Sequence, residues 1–547
     1  MKNVLSNRLK PFISLLLVIC YPFVIITILG WFLIPYKAGY FKEILGFGFF
    51  SLLFYCVFLI INSYKLRKWW LLISCFLLNT IAFIKISFYY FYKVKISSSA
   101  VFVVLETNFN EATEYLNTYV NGFIVVAFIV LFLPFVYFLK NYFISNKQSS
   151  LVEAILSLKL PGVKPKLVLV FVFIISIYMI HWKFKQENFM FAVYSSYNEY
   201  KETKKLLKNN LANQESDVLT NVKSLNNPQT YIIIIGESTS KWHLQLYGYG
   251  RETNPLLTEI NKELIIFKDV ITPNVHTITA LEKILTLSDV KNPNKKENGS
   301  ILQLANQAGF KTYWISNQKP VGYYESIPTL IGSAAANKYF IATDNYNYNI
   351  YDENLLPFLE NVLNEKQSKK IIFIHLIGTH ISYHKRYPEK YNVFKNEYNG
   401  LRYKHKKAIQ FVNKYDNAVL YNDYIVRDII NKVKRKDINS YVLYFSDHGD
   451  EVFDTMDYIG HNEYYGTKPM FEIPFVLWLS DKYKKTNPNS INYYSFTDRK
   501  YSLENFIHSF SEISNIKFDS LDLSKSVFNS NFMYRPRIIK KKNYDSN

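Results

Sequence analysis

Residues 231–239 have the sequence YIIIIGEST, in which a short run rich in β-branched residues ends in glycine and a polar segment. Four more apolar runs follow along the chain: KTYWIS (311–316), KIIFIHLI (370–377), SYVLYFS (440–446) and PFVLWLS (474–480). Stretches with helical spacing separate them. Continuous apolar strands that alternate with helices are typical of a mainly parallel sheet covered on both faces. The sequence therefore predicts an α/β domain with a mainly parallel sheet over residues 230–547.

Metal-type side chains follow three of these runs. Glu237 comes after the first, Gly378-Thr379-His380 after the third, and Asp447-His448 after the fourth. In open α/β sheets, ligands bind beyond the carboxyl ends of the strands. An acidic residue after a strand is often only the cap of the next helix. Three such ends in one sheet favour a metal site, and carboxylates with imidazole and no thiolate suit zinc or manganese.

A hydroxyl nucleophile is available in the segment ITPNVHTITALEKIL (271–285). Its apolar residues follow helical spacing, which places Thr277 at or just before the start of a helix, where a phosphate is stabilised. Thr279 and Glu282 have the spacing of a capping box, a structural explanation for Thr279. Spacing alone does not choose between Thr277 and Thr279 as the reactive residue.

The first 182 residues are dominated by apolar runs of about the length that spans a bilayer. The five runs are 11–34, 44–63, 69–90, 122–139 and 167–182. They predict a bundle of five transmembrane helices over residues 1–182. Lys85 lies inside the third run, where a charge hints at function, but snorkelling to the interface explains it at least as well. We therefore assign it no role.

Positive charge in the first part of the chain is unevenly placed. The amino-terminal tail and the second and fourth connections between runs hold eleven Lys and Arg residues, whereas the first and third connections hold four. The positive-inside rule then predicts a cytoplasmic amino terminus. Five crossings place everything after residue 182 on the outer side, with a polar interfacial linker at 183–229 and the α/β domain at 230–547.

The formal net charge of +20 does not indicate a nucleic-acid partner. The predicted membrane topology explains the basic excess of residues 1–182, and the large domain is predicted to face away from the cytoplasm. The three cysteines, Cys20, Cys56 and Cys75, all lie in apolar runs. The outer domain therefore has no disulfide and no cysteine-based metal site.

With these residues in place, the chain resembles the phosphoethanolamine transferases of the bacterial inner membrane, a branch of the alkaline phosphatase and sulfatase superfamily. It is most similar to the members that modify heptose in the lipopolysaccharide core. The resemblance extends over essentially the whole chain. The stretches that carry it are GESTSKWHLQLYGYGRETNP (236–255), HTITALEKILT (276–286), HLIGTHISYHKRYPEK (375–390), YFSDHGDEVFDT (444–455) and DRKYSLENFIHSFS (498–511).

The resemblance implies a sulfatase-like periplasmic domain on an inner-membrane anchor. Carried over by position, the zinc ligands of the family fall on Glu237, Asp447 and His448, and its nucleophile, itself a ligand, falls on Thr277. The histidines that contact substrate phosphate in the family match His380 and His461. The resemblance also implies Zn²⁺ rather than Mn²⁺, phosphatidylethanolamine as the donor and an anionic glycolipid acceptor, core heptose or lipid A.

Two other functions are compatible with the sequence. The first is a phosphoglycerol transferase of the lipoteichoic acid synthase type, which shares the layout and the threonine-metal chemistry but uses manganese and phosphatidylglycerol. The second is a non-catalytic membrane protein whose sulfatase-like domain only binds an envelope glycolipid. The sequence identifies neither the acceptor nor the number of metal ions.

Overall fold

The computed structural model describes residues 2–34, 37–92, 113, 116, 120–143, 150–158, 160, 162–185, 187–225, 227–288, 298–318, 327–342, 350–463, 465–540 and 542–546. The chain divides into two compact units, with a boundary between Lys201 and Glu202. That boundary lies inside the predicted linker, in a helix that covers Phe189–Leu211. The predicted limits of the linker stay a prediction.

The first unit is helical, as its long apolar runs predict. Its helices are α1 (Lys2–Leu33), α2 (Lys37–Ile60), α3 (Tyr64–Tyr92), α4 (Gly122–Phe143), α5 (Ser150–Leu156) and α6 (Val163–Tyr178), and the first part of α7 (Phe189–Leu211) also belongs to it. A single π-helical turn, Met179–Lys183, continues α6. The cysteines of this unit are free thiols.

Among the described residues, four helices are long and apolar enough to cross a membrane, one fewer than the sequence predicts. These spans are Lys10–Leu33, Tyr40–Ile60, Tyr64–Phe91 and Val163–Lys183. The fourth predicted run gives the shorter apolar segment Gly122–Tyr137. That segment is the described apolar part of the longer helix α4 (Gly122–Phe143). The count of five is therefore not confirmed.

Lys85 does not snorkel outward. Its side chain is 2% exposed, and its Nζ forms an ion pair with Oε1 of Glu43, which is also buried. The other carboxylate oxygen of Glu43, Oε2, has no hydrogen-bond partner among the described residues. The pair joins α2 to α3 in an apolar interior, where each charge depends on the other for its compensation.

Removing either partner of this pair is expected to destabilise the first unit. Lys85→Ala or Glu43→Ala leaves one buried charge unpaired, which costs about 3–5 kcal/mol. Replacing both by Lys85→Met and Glu43→Leu restores most of the stability. Thermal unfolding of the detergent-purified protein measures these changes in stability. Lys42→Ala, which changes an exposed lysine next to Glu43 on α2, is the control. A double variant as unstable as the two single changes combined would contradict the pairing.

The second unit is built on a seven-stranded sheet. Its strands are β1 (Gln229–Gly236), β2 (Leu264–Ile266), β3 (Lys311–Ser316), β4 (Asn337–Phe340), β5 (Lys369–His375), β6 (Ser440–Ser446) and β7 (Phe475–Leu479). The order across the sheet is β2-β7-β6-β1-β5-β3-β4. The five apolar runs of the sequence correspond to β1, β3, β5, β6 and β7.

The sheet is mixed, so the prediction of a mainly parallel sheet is not confirmed at the end of the sheet that β7 and β2 form. The strands from β6 to β4 pair in parallel, but β7 is antiparallel to both of its neighbours, β6 and β2. The run PFVLWLS is buried on both faces like the others, so its composition is the same in either direction. An apolar pattern therefore predicts a central strand but not its orientation.

Helices cover both faces of this sheet and explain its continuous apolar runs. Ile233 and Ile235 of β1 point into one apolar core, whereas Ile232 and Ile234 point into the other, and all four are fully buried. The helices of this unit are α8 (Pro255–Glu259), α9 (Thr277–Ile284), α10 (Ile301–Gln307), α11 (Ile327–Ser333), α12 (Leu356–Asn364), α13 (Lys406–Arg435), α14 (Lys468–Phe471), α15 (Asp481–Thr486) and α16 (Phe506–Ile513). Four short two-stranded ladders pair 223–224 with 516–517, 270–271 with 501–502, 451–452 with 459–460 and 538–539 with 542–543.

A buried polar cluster fixes the segment after β1 to the long helix α13. Asp416 of α13 is fully buried and accepts hydrogen bonds from Nδ1 of His243 at 2.6 Å, the hydroxyl of Tyr249 at 3.0 Å and Nη1 of Arg251 at 2.7 Å. The second ring nitrogen of His243 lies 3.3 Å from Asp454. Both nitrogens thus face carboxylates, which favours the doubly protonated ring.

His243 makes the stability of the second unit depend on pH. Burial alone would lower the pKa of His243, but Asp454 and Asp416 outweigh it and raise this pKa to about 10. The histidine of the unfolded chain has its ordinary pKa near 6.5, so the stabilisation is complete below that pH and is lost as the pH rises toward 10.

We therefore expect the free energy of unfolding of the wild type to fall between pH 7 and pH 9 more steeply than that of His243→Gln. The difference between the two slopes should be up to about 1.4 kcal/mol per pH unit. Chemical unfolding of the purified protein at several pH values measures the difference. His405→Asn changes an exposed histidine that caps α13 and should keep the wild-type slope. Equal slopes for wild type and His243→Gln would contradict the assignment.

Candidate metal and catalytic site

Two neighbouring strands bring the predicted acidic residues together. β1 and β6 pair in parallel with Gly236 opposite Ser446, so Glu237 and Asp447 leave the sheet side by side. The backbone N–H of Ser238 donates to Oδ1 of Asp447 at 3.0 Å and ties the two ends to each other. Both carboxylates are at most 1% exposed. The carboxyl ends of the strands thus form one buried acidic centre.

The end of β5 supports Glu237 from the other side. The backbone N–H and the hydroxyl of Thr379 both donate to the carbonyl oxygen of Glu237, at 3.0 and 3.1 Å. Gly378 has a φ of +51°, and a Cβ there would lie 2.8 Å from the backbone N and O of Glu237. Only glycine permits this close approach of the two strand ends without strain.

Thr277 is the first residue of α9, and its side chain reaches the acidic centre. Its Oγ1 donates to the carboxylate of Glu237, 3.0 Å from Oε1 and 3.2 Å from Oε2, and lies 3.3 Å from Nε2 of His448. Thr279 instead donates to the carbonyl oxygen of His276 at 3.1 Å. His276 is the cap of α9, so the predicted capping box of Thr279 and Glu282 is wrong. The geometry favours Thr277 of the two threonines.

The spacing of the four donor atoms fits a tetrahedral metal ion. Nε2 of His448 is 3.3 Å from Oε1 of Glu237 and 3.4 Å from Oδ2 of Asp447. With the 3.3 Å from Nε2 to Oγ1 of Thr277, the three separations from His448 match the edges of about 3.3–3.4 Å that follow from tetrahedral zinc with bonds of about 2.0–2.1 Å. Nδ1 of His448 lies 3.0 Å from the carbonyl oxygen of Gly449 and must carry the hydrogen there. Nε2 is therefore the nitrogen that would bind a metal ion, after losing its proton.

The charges of this centre favour a bound cation. Burial, together with the charge of Glu237, raises the pKa of Asp447 well above its ordinary value. Burial acts in the same direction on Glu237, but the hydrogen bond and charge of His448 outweigh it and lower the pKa of Glu237. Oδ2 of Asp447 is buried and accepts no hydrogen bond in the part of the chain described. A divalent ion would satisfy this oxygen and compensate both carboxylates.

His461 packs on the metal-type cluster. Its ring centroid lies 4.2 Å from that of His448, and its Nδ1 is 2.7 Å from Oδ1 of Asp450. The other oxygen of Asp450 accepts a hydrogen bond from the hydroxyl of Tyr383 at 2.7 Å. Asp450 is fully buried, whereas the side chain of His461 is 23% exposed. Asp450 therefore fixes the His461 ring on its buried side, and the ring remains accessible to solvent. A second triad of donor atoms, His448, Asp450 and His461, also lies within metal-binding spacing.

His380 lies within electrostatic range of the centre, since its charge contributes to lowering the pKa of Glu237. Its carbonyl oxygen accepts a hydrogen bond from Nε of Arg386 at 3.2 Å, which fixes the backbone at this point. All six predicted site residues are therefore found at or beside one end of the sheet. For His380, this follows from the effect of its charge on the pKa of Glu237.

Two supporting residues have no counterpart in the sequence prediction. Nε2 of Gln318, which follows β3, donates to Oε2 of Glu237 at 3.0 Å. Oε1 of Glu463 accepts from the side chain of Asn274 at 2.8 Å and from the backbone N–H of Val275 at 3.0 Å, and so holds the loop that leads to Thr277. Gln318 directly follows the apolar strand β3, and this position could have identified it from the sequence. The contact of Glu463 with a distant loop has no corresponding pattern in the sequence.

A mixed sheet with acidic and imidazole donors at the carboxyl ends of its central strands defines a domain of the sulfatase class. The sulfatase family profile matches residues 229–516, which covers the sheet and all six candidate residues. The chain is 32% identical over 495 residues to phosphoethanolamine transferase EptC of Escherichia coli K12, covering 83% of this chain and 81% of that protein. It is 32% identical over 500 residues, with the same coverage, to phosphoethanolamine transferase CptA of Salmonella typhimurium LT2.

Solved structures show the same relationship. The crystal structure of the C-terminal periplasmic domain of E. coli EptC in complex with Zn has 36% sequence identity and a TM-score of 0.57, and covers 60% of this chain and 93% of that one. The integral membrane protein EptA from Neisseria meningitidis is similar in fold over 96% of both chains, with 20% identity and a TM-score of 0.63. The chain belongs to the phosphoethanolamine transferases of the alkaline phosphatase superfamily, and it is a transferase enzyme.

Proposed function

We propose that this protein transfers phosphoethanolamine from phosphatidylethanolamine to an envelope glycolipid, with Thr277 as the nucleophile. The observation that carries the proposal is the position of the Thr277 hydroxyl, within 3.0–3.3 Å of Glu237 and His448. The relatives named phosphoethanolamine transferases support the choice of the transferred group. The acceptor is proposed to be lipopolysaccharide, at a core heptose or at lipid A.

Thr277 performs the first half of the reaction. Its Oγ1 forms a bond to the donor phosphorus while the bond from phosphorus to the diacylglycerol oxygen breaks. Glu237 accepts the hydrogen bond of the hydroxyl and directs the oxygen lone pairs, and the start of α9 offers backbone N–H groups to phosphate oxygens. The product is a phosphoethanolamine ester of Thr277, and the proton released by the Thr277 hydroxyl passes to the oxygen of the departing diacylglycerol.

The second half of the reaction restores the enzyme. A hydroxyl or phosphate of the acceptor attacks the same phosphorus, the bond between Oγ1 of Thr277 and phosphorus breaks, and Thr277 regains its hydrogen. Asp450 engages Nδ1 of His461 and leaves its Nε2 for proton transfer. His380 supplies a second imidazole that stabilises negative charge on phosphate.

Zn²⁺ is the proposed cofactor, held by Glu237, Asp447, His448 and Thr277, with Mn²⁺ as the weaker alternative. Two carboxylates and one imidazole with an open position for substrate suit catalytic zinc. When bound, the ion would lower the pKa of the Thr277 hydroxyl and polarise the phosphoryl oxygen. The relative crystallised with Zn supports the choice of metal.

The membrane arrangement is also part of the proposal. Residues 1–182 would anchor the chain in the bacterial inner membrane as five spans with a cytoplasmic amino terminus, and residues 183–229 would lead to a periplasmic catalytic domain at 230–547. The four long apolar helices support several crossings. Tethering keeps the enzyme near two lipidic substrates at high effective concentration.

Mass spectrometry of lipopolysaccharide from cells with and without this gene tests the proposal. We expect one species to lose a mass equal to phosphoethanolamine when the gene is absent and to regain it on complementation. If no envelope glycolipid changes in mass, the proposed activity is wrong.

Two experiments separate the alternatives. Incubating the purified protein with head-group-labelled phosphatidylethanolamine and, separately, phosphatidylglycerol distinguishes a phosphoethanolamine transferase from a phosphoglycerol transferase of the lipoteichoic acid synthase type. A non-catalytic glycolipid-binding protein would incorporate label from neither lipid.

A further inference from the structure

An open cavity of about 770 Å³ lies in the second unit, and none of the four predicted metal ligands lines it. Its volume is in the range of pockets that hold small molecules. The segment after β1, the loop around residue 400 and the segment 452–454 form its walls. Aromatic and charged side chains make up more than half of the lining residues, among them Trp242, Tyr249, Lys268, Tyr398, Arg402 and Asp454.

The aromatic rings of this cavity are fixed in place before any ligand binds. Nε1 of Trp242 donates to Oε2 of Glu472 at 2.9 Å, although 36% of the Trp242 surface is exposed. Tyr249 is held through its hydroxyl by the buried carboxylate of Asp416 at 3.0 Å. A large ring that is both oriented by a hydrogen bond and open to solvent is a prepared binding surface, because little side-chain freedom is lost on binding.

Tyr398 completes the aromatic wall. Its ring fills the space beside Gly250 and Gly400, where a methyl group on either glycine would overlap it. The ring centroids of Tyr398 and Tyr249 are 5.5 Å apart, and the guanidinium of Arg251 lies 5.0 Å from the Tyr398 ring. Gly250, which belongs to the motif GYGRETNP, and Gly400 thus make room for this ring.

Charged groups of both signs surround the rings. Lys241, Lys268 and Arg402 bring positive charge to the lining, and Asp454 and Glu472 bring carboxylates. Lys268 and Arg402 are exposed, and Lys241 lies 3.1 Å from Glu472. Ammonium and guanidinium groups bind phosphate, while carboxylates accept hydrogen bonds from hydroxyls.

We propose that this cavity binds a phosphorylated sugar of the acceptor glycan, at a distance from the hydroxyl that is modified; this proposal rests on the proposed function. Flat aromatic surfaces pack against the C–H faces of sugar rings, carboxylates pair with sugar hydroxyls, and the cationic side chains pair with phosphate. The acyl chain of a lipid would instead require a continuous apolar wall, which the five charged side chains interrupt.

One loop connects the cavity to the candidate catalytic site. It begins with the predicted ligands Asp447 and His448 and ends at Asp454 in the cavity wall. Six residues of chain span at most about 20 Å, even when fully extended. An oligosaccharide of a few sugar units is long enough to span such a distance. Binding at the cavity would select the acceptor and hold its reactive group near Thr277.

Binding of a delipidated, phosphorylated core oligosaccharide to the full-length protein tests the proposal. The protein carries Thr277→Ala, which prevents turnover, and calorimetry measures the dissociation constant. Adding Trp242→Ala or Arg402→Gln should weaken binding at least about tenfold, as loss of one central aromatic or arginine contact does. Arg402 is exposed, so its replacement does not disturb folding. Tyr494→Ala and Lys485→Gln, which change exposed residues outside the cavity, are the matched controls.

Enzymatic dephosphorylation of the oligosaccharide should also weaken its binding, and should remove the effect of Arg402→Gln. Equal affinity of the cavity variants and the controls, or no binding of the oligosaccharide at all, would overturn the proposal. Short-chain phosphatidylethanolamine that competes for the cavity would likewise overturn it in favour of a lipid site. Labelling of wild-type Thr277 by the donor lipid is measured separately, so loss of the proposed function is distinguishable from loss of the glycan site.

Discussion

Thr277→Ala is expected to reduce transfer of phosphoethanolamine by about 10³-fold or more, because it removes the attacking oxygen while leaving the fold intact. Thr277 starts α9, where its side chain contacts Glu237 and His448 and has no role in the apolar core. We therefore expect the metal-free variant to unfold at the same temperature as the metal-free wild type, while the activity is lost. Incubation with labelled phosphatidylethanolamine, followed by peptide mass spectrometry, measures both turnover and the labelled residue.

The chain offers a matched control two residues away. Thr279→Ala removes a hydroxyl that donates its hydrogen bond to the carbonyl oxygen of His276. We therefore expect nearly wild-type transfer of phosphoethanolamine. In the wild type the label should appear on the peptide that contains Thr277 and be released when acceptor is added. Label on a peptide from elsewhere in the chain, or full activity of Thr277→Ala, would show that another residue is the nucleophile.

The central strands were predictable because they are buried on both faces. All eight residues of β1 are buried, and an apolar run with β-branched residues has few other uses in a soluble domain. The short edge strands β2 and β4 escaped prediction because they have three and four residues, and β4 is partly exposed. The direction of β7 was not predictable, since burial of a strand does not depend on its orientation.

The site was predictable where one local pattern carries the chemistry. Asp447 and His448 follow a strand directly, and Glu237 does the same on the neighbouring strand. The choice between Thr277 and Thr279 was not available from spacing, because both lie on the same turn and only the fold shows which hydroxyl meets Glu237. The contact between Asp450 and Tyr383 joins residues 67 positions apart and leaves no local signature.

Removing the metal is expected to have the second largest effect, on stability as well as on activity. Without a cation, the buried carboxylates of Glu237 and Asp447 repel each other, and Oδ2 of Asp447 lacks a partner among the described residues. An ion that binds only the folded protein stabilises it by about 4 kcal/mol at a thousand times its dissociation constant. We therefore expect a chelator to lower the unfolding temperature, and added Zn²⁺ to restore it.

Asp447→Asn tests whether this stabilisation arises at the proposed site. The amide removes one carboxylate charge and is a weaker ligand, so zinc should no longer raise the unfolding temperature of this variant, and its metal content after dialysis should fall. Asp437→Asn, which changes an aspartate whose side chain is 80% exposed, should respond to zinc like the wild type. Because unfolding and metal content are both measured without substrate, the result does not depend on the acceptor. A zinc response that survives Asp447→Asn unchanged would place the metal elsewhere and remove the basis for activating Thr277.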